Sequence, residues 1–249
     1  MSIASRSFKI IWRVIKLLGT LLVAFVCIFL LWRMFSRGAS DDMELISVDS
    51  QLYEAYEENG KNVEFFRQDK LSITSDGFFA DPDCIFIPET NQIQIIIRYN
   101  NSTLRALAEN EKYALDSVPD RNSNVFDVTL LVQTDLTPDD DTDNTGKNPE
   151  TVKYTRCHGT LVKSEQKNLY NFRRYVFDLD DCGIDMKEMM KSGDLLAIYC
   201  DFYYVNDINY EERPYSTLFI YDYKRDNKWD EISKEEAKLF EEFGKNQDK

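Results

Sequence analysis

Between Leu17 and Trp32 the chain carries no charged side chain, and no other feature restricts its possible folds so strongly. Extended back to Ile10, the run takes in Arg13 and Lys16, whose long stems lie along apolar surroundings while their charges reach a headgroup layer. Trp12 and Trp32 bracket it, and a helical rise of ~1.5 Å per residue sets them about 30 Å apart, the thickness of a hydrocarbon core. Each indole then reaches one interface. Residues 10–32 therefore read as a transmembrane helix.

Charge divides the chain at the same place. Residues 1–40 hold Arg6, Lys9, Arg13, Lys16, Arg33 and Arg37 and no acid, which leaves 24 of the 30 basic and all 44 acidic side chains to 41–249, a formal balance of −20. Four of the six early basic residues precede the apolar run, so the positive-inside bias places 1–9 in the cytoplasm as a short tail. Residues 33–48 read as a polar tether and 49–249 as an acidic extracytoplasmic domain. A cleaved signal peptide is the competing reading, but only Ser36-x-Gly38 and Gly38-x-Ser40 offer small residues at the right spacing, close after Arg33. The segment reads as a retained signal-anchor of a single-pass cell-membrane protein.

Beyond a brief helix over Asp49–Asn59, the hydrophobic period becomes two. Ile93, Ile95, Ile97 and Tyr99 alternate with Gln92, Gln94 and Arg98, and Phe126, Val128, Leu130 and Val132 alternate with Asp127, Thr129 and Gln133. Cys84–Ile87 and Gln92–Tyr99 flank a turn-rich Pro88–Asn91 link and predict a hairpin. Further strands are predicted over Leu71–Thr74, Val152–Val162, Tyr170–Leu179, Leu195–Val205 and Tyr215–Tyr223. Short helices are expected in Ser102–Tyr113 and Met186–Lys191. Ser233-x-x-Glu236 is a capping box opening a C-terminal amphipathic helix with Ala237, Leu239, Phe240 and Phe243 on one side. Many strands with short links and few helices predict an all-β domain, an immunoglobulin-like antiparallel β-sandwich.

Catalytic signatures are sparse. His158 is the single histidine, and its neighbour Cys157 points to the opposite face of a strand, so the two do not form a thiolate–imidazole pair. Glycine-rich phosphate loops and nucleophile elbows are absent from the sequence. The pairs Asp180-Asp181 and Asp81/Asp83 could flank a glycosidic bond in a carboxylate-based envelope hydrolase, but they read first as solvated turn acids beside strands. Asp139, Asp141, Asp143 and Glu150 occupy positions 1, 3, 5 and 12 of an EF-hand-type calcium loop. Asn144, Gly146 and Pro149 depart from that pattern. Calcium is the one cofactor the sequence suggests, and an adhesion or sensor role would follow from it.

Cys84, Cys157, Cys182 and Cys200 lie beyond the apolar segment and permit two disulfides in three connectivities. Asn100 and Asn101 head overlapping N-x-S/T sequons. In the last third, Tyr199 and Tyr203 share one face of a strand, and Phe219 and Tyr221 belong to an aromatic face of the next. Phe240 and Phe243 are expected to cover that surface; uncovered, it would be a binding face for a protein or carbohydrate partner. Nucleic acid is not expected, because a domain at −20 repels phosphate backbones. The sequence thus predicts a membrane-anchored binding or assembly module without catalytic activity.

Overall fold

The computed structural model describes residues 3–35, 38–68, 72–74, 76–133, 154–192, 198–207, 214–221 and 229–247. It divides into two units, Met1–Gly38 and Ala39–Lys249. The first is a single helix, α1 (Ile3–Phe35). Within it Trp12–Phe35 is a 24-residue span of mean hydropathy 2.7 with no part buried by the protein. It is long and apolar enough to cross a membrane.

The second unit is mostly β. It opens with α2 (Asp41–Glu44), α3 (Ser50–Glu58), β1 (Phe66–Gln68), β2 (Ser72–Ile73), β3 (Ala80–Ile87), β4 (Gln92–Asn100) and α4 (Asn101–Glu109). It continues with β5 (Phe126–Gln133), β6 (Tyr154–His158), β7 (Thr160–Lys167), β8 (Tyr170–Asp178), a 3-10 turn (Asp180–Cys182) and α5 (Met186–Ser192). The described chain closes with β9 (Ile198–Tyr204), β10 (Ser216–Tyr221) and α6 (Lys234–Gln247). The strands make two antiparallel sheets, one in the order β1-β3-β4-β8-β7 with β2 also on β3, the other β10-β9-β5-β6.

Period-two patterning accounts for the main core. Ile93, Ile95, Ile97 and Tyr99 from β4 are buried with Phe126, Val128, Leu130 and Val132 from β5 and with Ile198, Cys200 and Phe202 from β9. Phe79 stacks on Phe202 with ring centroids 4.0 Å apart, and Tyr175 of β8 donates from its hydroxyl to the Phe126 carbonyl at 3.0 Å, joining the two sheets. Burial raises the Tyr175 phenol far above its ordinary range, so it stays a donor at any physiological pH.

Three features depart from the sequence reading. The single strand expected over Val152–Val162 is broken at Gly159 into β6 and β7, which belong to different sheets. A β-carbon at Gly159 would stand 2.5 Å from the Phe177 ring and 3.1 Å from the Val128 carbonyl, and the Gly159 amide donates to that carbonyl at 2.9 Å. Only glycine lets the strand turn that closely under the core.

The second departure concerns the tether read over 33–48. From Ala39 onward the chain is docked on the six-stranded sheet, on the face away from the main core. Ala39 and Met43 are buried against Ile96 and Phe172, and Ile46 joins Leu52, Tyr56, Phe65, Ile85 and Ile87. Polar strand residues supply the docking bonds. Gln94 accepts from the Ser47 amide and donates to its carbonyl, both at 2.8 Å, while Lys167 donates to the Ala39 carbonyl at 2.9 Å. Gln92, Gln94 and Arg98 are therefore buried, and β4 is covered on both faces instead of being half-exposed.

The C-terminal region adds to the same layer. Ser233 and Glu236 form reciprocal cap bonds at the start of α6, the Glu236 amide donating to Ser233 Oγ at 3.1 Å and the Ser233 amide to Glu236 Oε2 at 2.9 Å. Phe240 stacks on Tyr56 at 4.1 Å and Phe243 meets Tyr53 at 5.6 Å. These two rings thus pack on α3, and Phe240 shares its cluster with Ile85 and Ile87 of β3, not with Tyr199 or Tyr203 of the β9 face they were expected to cover. The apolar far side of β3 and the apolar side of α3 provide a complementary surface that sequence periodicity alone does not reveal.

Candidate functional site

The docked segment, β7, β8 and the last turns of α6 enclose an open cleft of about 240 Å³. Arg174 and Lys163 line it together with Asp42, Ser47, Phe243 and Asn246. Their placement follows from β pairing. Lys163 of β7 is the direct cross-strand partner of Arg174 of β8, in a register set by an irregularity between Leu161 and Lys163. Like charges directly opposite on a sheet repel and lower its stability, so this pairing is unfavourable for folding alone.

Arg174 is 1% exposed. Its guanidinium donates to Gln94 Oε1 at 2.8 Å and to the Met43 carbonyl, both neutral acceptors, and its Nε has no hydrogen-bond partner. Asp83 and Glu236, whose charges act on Arg174, bond another residue: Arg67 forms ion pairs with Asp83 at 3.3 Å and with Glu236. Burial pulls the Arg174 pKa down to about 10, against the opposing pull of Asp83, so the side chain remains a cation at neutral pH. Lys163 is exposed and donates to the Asp42 carbonyl at 2.7 Å, again a neutral acceptor. The cleft thus presents two cationic groups whose bonded partners carry no charge.

The sequence-derived candidates lie elsewhere. Asp139, Asp141, Asp143 and Glu150, the proposed calcium ligands, fall outside the described residues. Among the described residues there is no group of three or more His, Cys, Asp or Glu side chains placed to hold a metal. Tyr199 is half-buried and meets Tyr154 edge-on at 5.9 Å. Tyr203 is 2% exposed with its hydroxyl on Asp201 at 3.2 Å, so it offers no open surface. Phe219 pairs in register with Tyr199 and Tyr221 with Ile198 along β10; the positions of the Phe219 and Tyr221 side chains are not described.

His158 is exposed, with Nδ1 3.3 Å from Thr129 Oγ1, while Cys157 faces the core. Asp180 and Asp181 are exposed on their turn, and Asp83 is buried in its ion pair. A second hollow of about 360 Å³ is walled by loop residues including Asp116, Asp120 and Asn124 and contains no basic side chain. The sequence does carry one signal for the Arg174 cleft. Arg173 and Arg174 are adjacent in a strand rich in aromatic residues, and alternation must send one guanidinium to each face of the sheet. Arg173 goes inward, its centre 5.7 Å from the Tyr99 ring, and donates to the Arg121 carbonyl at 2.7 Å.

Comparison with protein-family models, with curated proteins and with solved structures finds no significant match. The chain is a mostly β protein of two antiparallel sheets, preceded by one apolar helix long enough to span a membrane.

Proposed function

We propose that the protein is a single-pass membrane-anchored binding or assembly module that receives an anionic group in the Arg174–Lys163 cleft. In this reading residues 1–9 are cytoplasmic, α1 is a retained anchor, and the β unit faces outward as an immunoglobulin-like sandwich flanked by an amphipathic α6. The ligand is a small carboxylate or phosphate, free or displayed by a protein or carbohydrate partner at the cell envelope. The observation that carries it is the cross-strand pair of cations, one fully buried, with no carboxylate bonded to either among the described residues. A cation at the wall of a low-dielectric cleft attracts an anion locally even where the whole domain is acidic. Non-catalytic binding is favoured because the buried carboxylates Asp83 and Glu236 share an ion pair with Arg67, the buried Asp201 is bonded by the Tyr203 and Thr217 hydroxyls, and His158 meets Thr129 on an edge strand.

The test is the thermal midpoint of the full-length protein in detergent, with inorganic phosphate, sulfate or acetate replacing chloride at matched ionic strength. A ligand held only by the folded state at ten times its Kd adds ~1.4 kcal/mol, a rise of about 3–6 °C for a unit of this size. At least one of the three anions should give that rise, and Lys163→Gln should reduce it at the same concentration. Identical midpoints in all four salts would refute the cleft as an anion site.

A further inference from the structure

Cys157 is buried in the main core on β6, the edge strand of the four-stranded sheet. Cys182 ends the 3-10 turn that follows β8 of the six-stranded sheet, and that turn packs against β6. The Cys182 thiol donates to the Arg156 carbonyl at 3.2 Å, one residue from Cys157, and the two cysteines are neighbouring thiols, both reduced in this structure. Cys182 is half-buried at the margin of the core, so one sulfur of the pair is reachable from solvent and the other is not.

We propose that Cys157 and Cys182 are joined by a native disulfide that staples the edge of one sheet to the end of the other. This goes beyond the binding reading and rests only on its outward placement of the β unit, since structural disulfides persist in oxidising compartments. The accessible Cys182 thiolate attacks an exchange partner bearing a disulfide, forming a mixed disulfide and releasing one thiolate. The Cys157 thiolate then attacks Cys182 Sγ, forming the Cys157–Cys182 bond and releasing the partner's second thiolate. The two protons lost by the cysteines end on the partner, which leaves as the dithiol, two electrons reduced. The order follows from access, and burial, which pushes the Cys157 thiol strongly up, keeps that residue from acting first. Cys84 and Cys200 are buried in the core and Cys27 lies in α1, so they serve as internal references.

Full-length protein in detergent is treated with oxidised glutathione, denatured, alkylated and mapped by peptide mass, and the same mapping is made on protein alkylated in intact cells before extraction. The expected result is a Cys157–Cys182 link in both samples. Reductant should then lower the melting midpoint by about 10 °C, as expected for opening a loop of this length, and Cys182→Ala should melt identically with and without it. Failure of the purified protein to form the link, or a link joining Cys84 to Cys200 instead, would overturn the pairing. A pair that oxidises in the purified protein but is reduced in cells would overturn the native bridge together with the outward placement, leaving the anion cleft untouched.

Discussion

Phe240→Ala should lower the stability of the β unit by about 3–5 kcal/mol, the usual cost of truncating a buried phenylalanine. Phe240 is fully buried, stacks on Tyr56 at 4.1 Å and shares its cluster with Ile46, Leu52, Phe65, Ile85 and Ile87, so its removal leaves a cavity among residues from four separate stretches of chain. A 14-residue helix is marginal in water and holds its place through this face. Chemical denaturation should show a lower midpoint, and Tyr56 fluorescence should change ahead of the main transition if α6 detaches first. A loss below ~1 kcal/mol would mean that α6 is not held by the α3–β3 surface. Phe243, half-buried against Tyr53, should matter less.

The second large effect is expected at Glu236. Its side chain caps the Ser233 amide and pairs with Arg67 while only 3% exposed, so Glu236→Ala removes a cap and leaves a half-buried cation with one partner fewer. Breaking a buried pair from one side typically costs about 3–5 kcal/mol. The low end, about 3 kcal/mol, is expected here because Arg67 keeps Asp83 and is itself 23% exposed. Ser233→Ala, which removes the hydroxyl cap alone, should cost only about 1 kcal/mol. Equal losses in the two variants would show that the cap, not the ion pair, fixes the start of α6.

Much of this architecture is legible in the sequence, for reasons that can be named. An apolar run without charge has few alternatives, and alternation identified β4, β5 and β9 because each has one face in the main core. The hairpin of β3 and β4 was readable from its turn residues. What escaped has a common cause: polar residues on strands were read as facing water. Gln92 and Gln94 instead bond the backbone and side chains of the docked segment, which is why 39–48 looked like a tether. The strand β7, Thr-Leu-Val-Lys-Ser-Glu-Gln-Lys, is an exposed edge with too little apolar content to show its full length.

The cleft was hidden for a related reason. Arg174 and Lys163 become opposite partners only through the register of β7 on β8, which is shifted by one irregular step and cannot be inferred from either strand's composition. The aromatic face was legible as a pattern but not as a surface. Tyr203 follows the expected alternation and is nevertheless buried, its hydroxyl held by Asp201.

The central claim is that α1 anchors the chain with its N-terminus inside and the β unit outside. It is tested most directly by cysteine accessibility on intact cells, in a Cys182→Ala background that removes the one half-exposed cysteine of the β unit. Glu58→Cys, exposed at the end of α3, should react with a membrane-impermeant maleimide without permeabilisation, and Ser2→Cys should react only after it. Labelling of Ser2→Cys but not Glu58→Cys on intact cells would contradict the account.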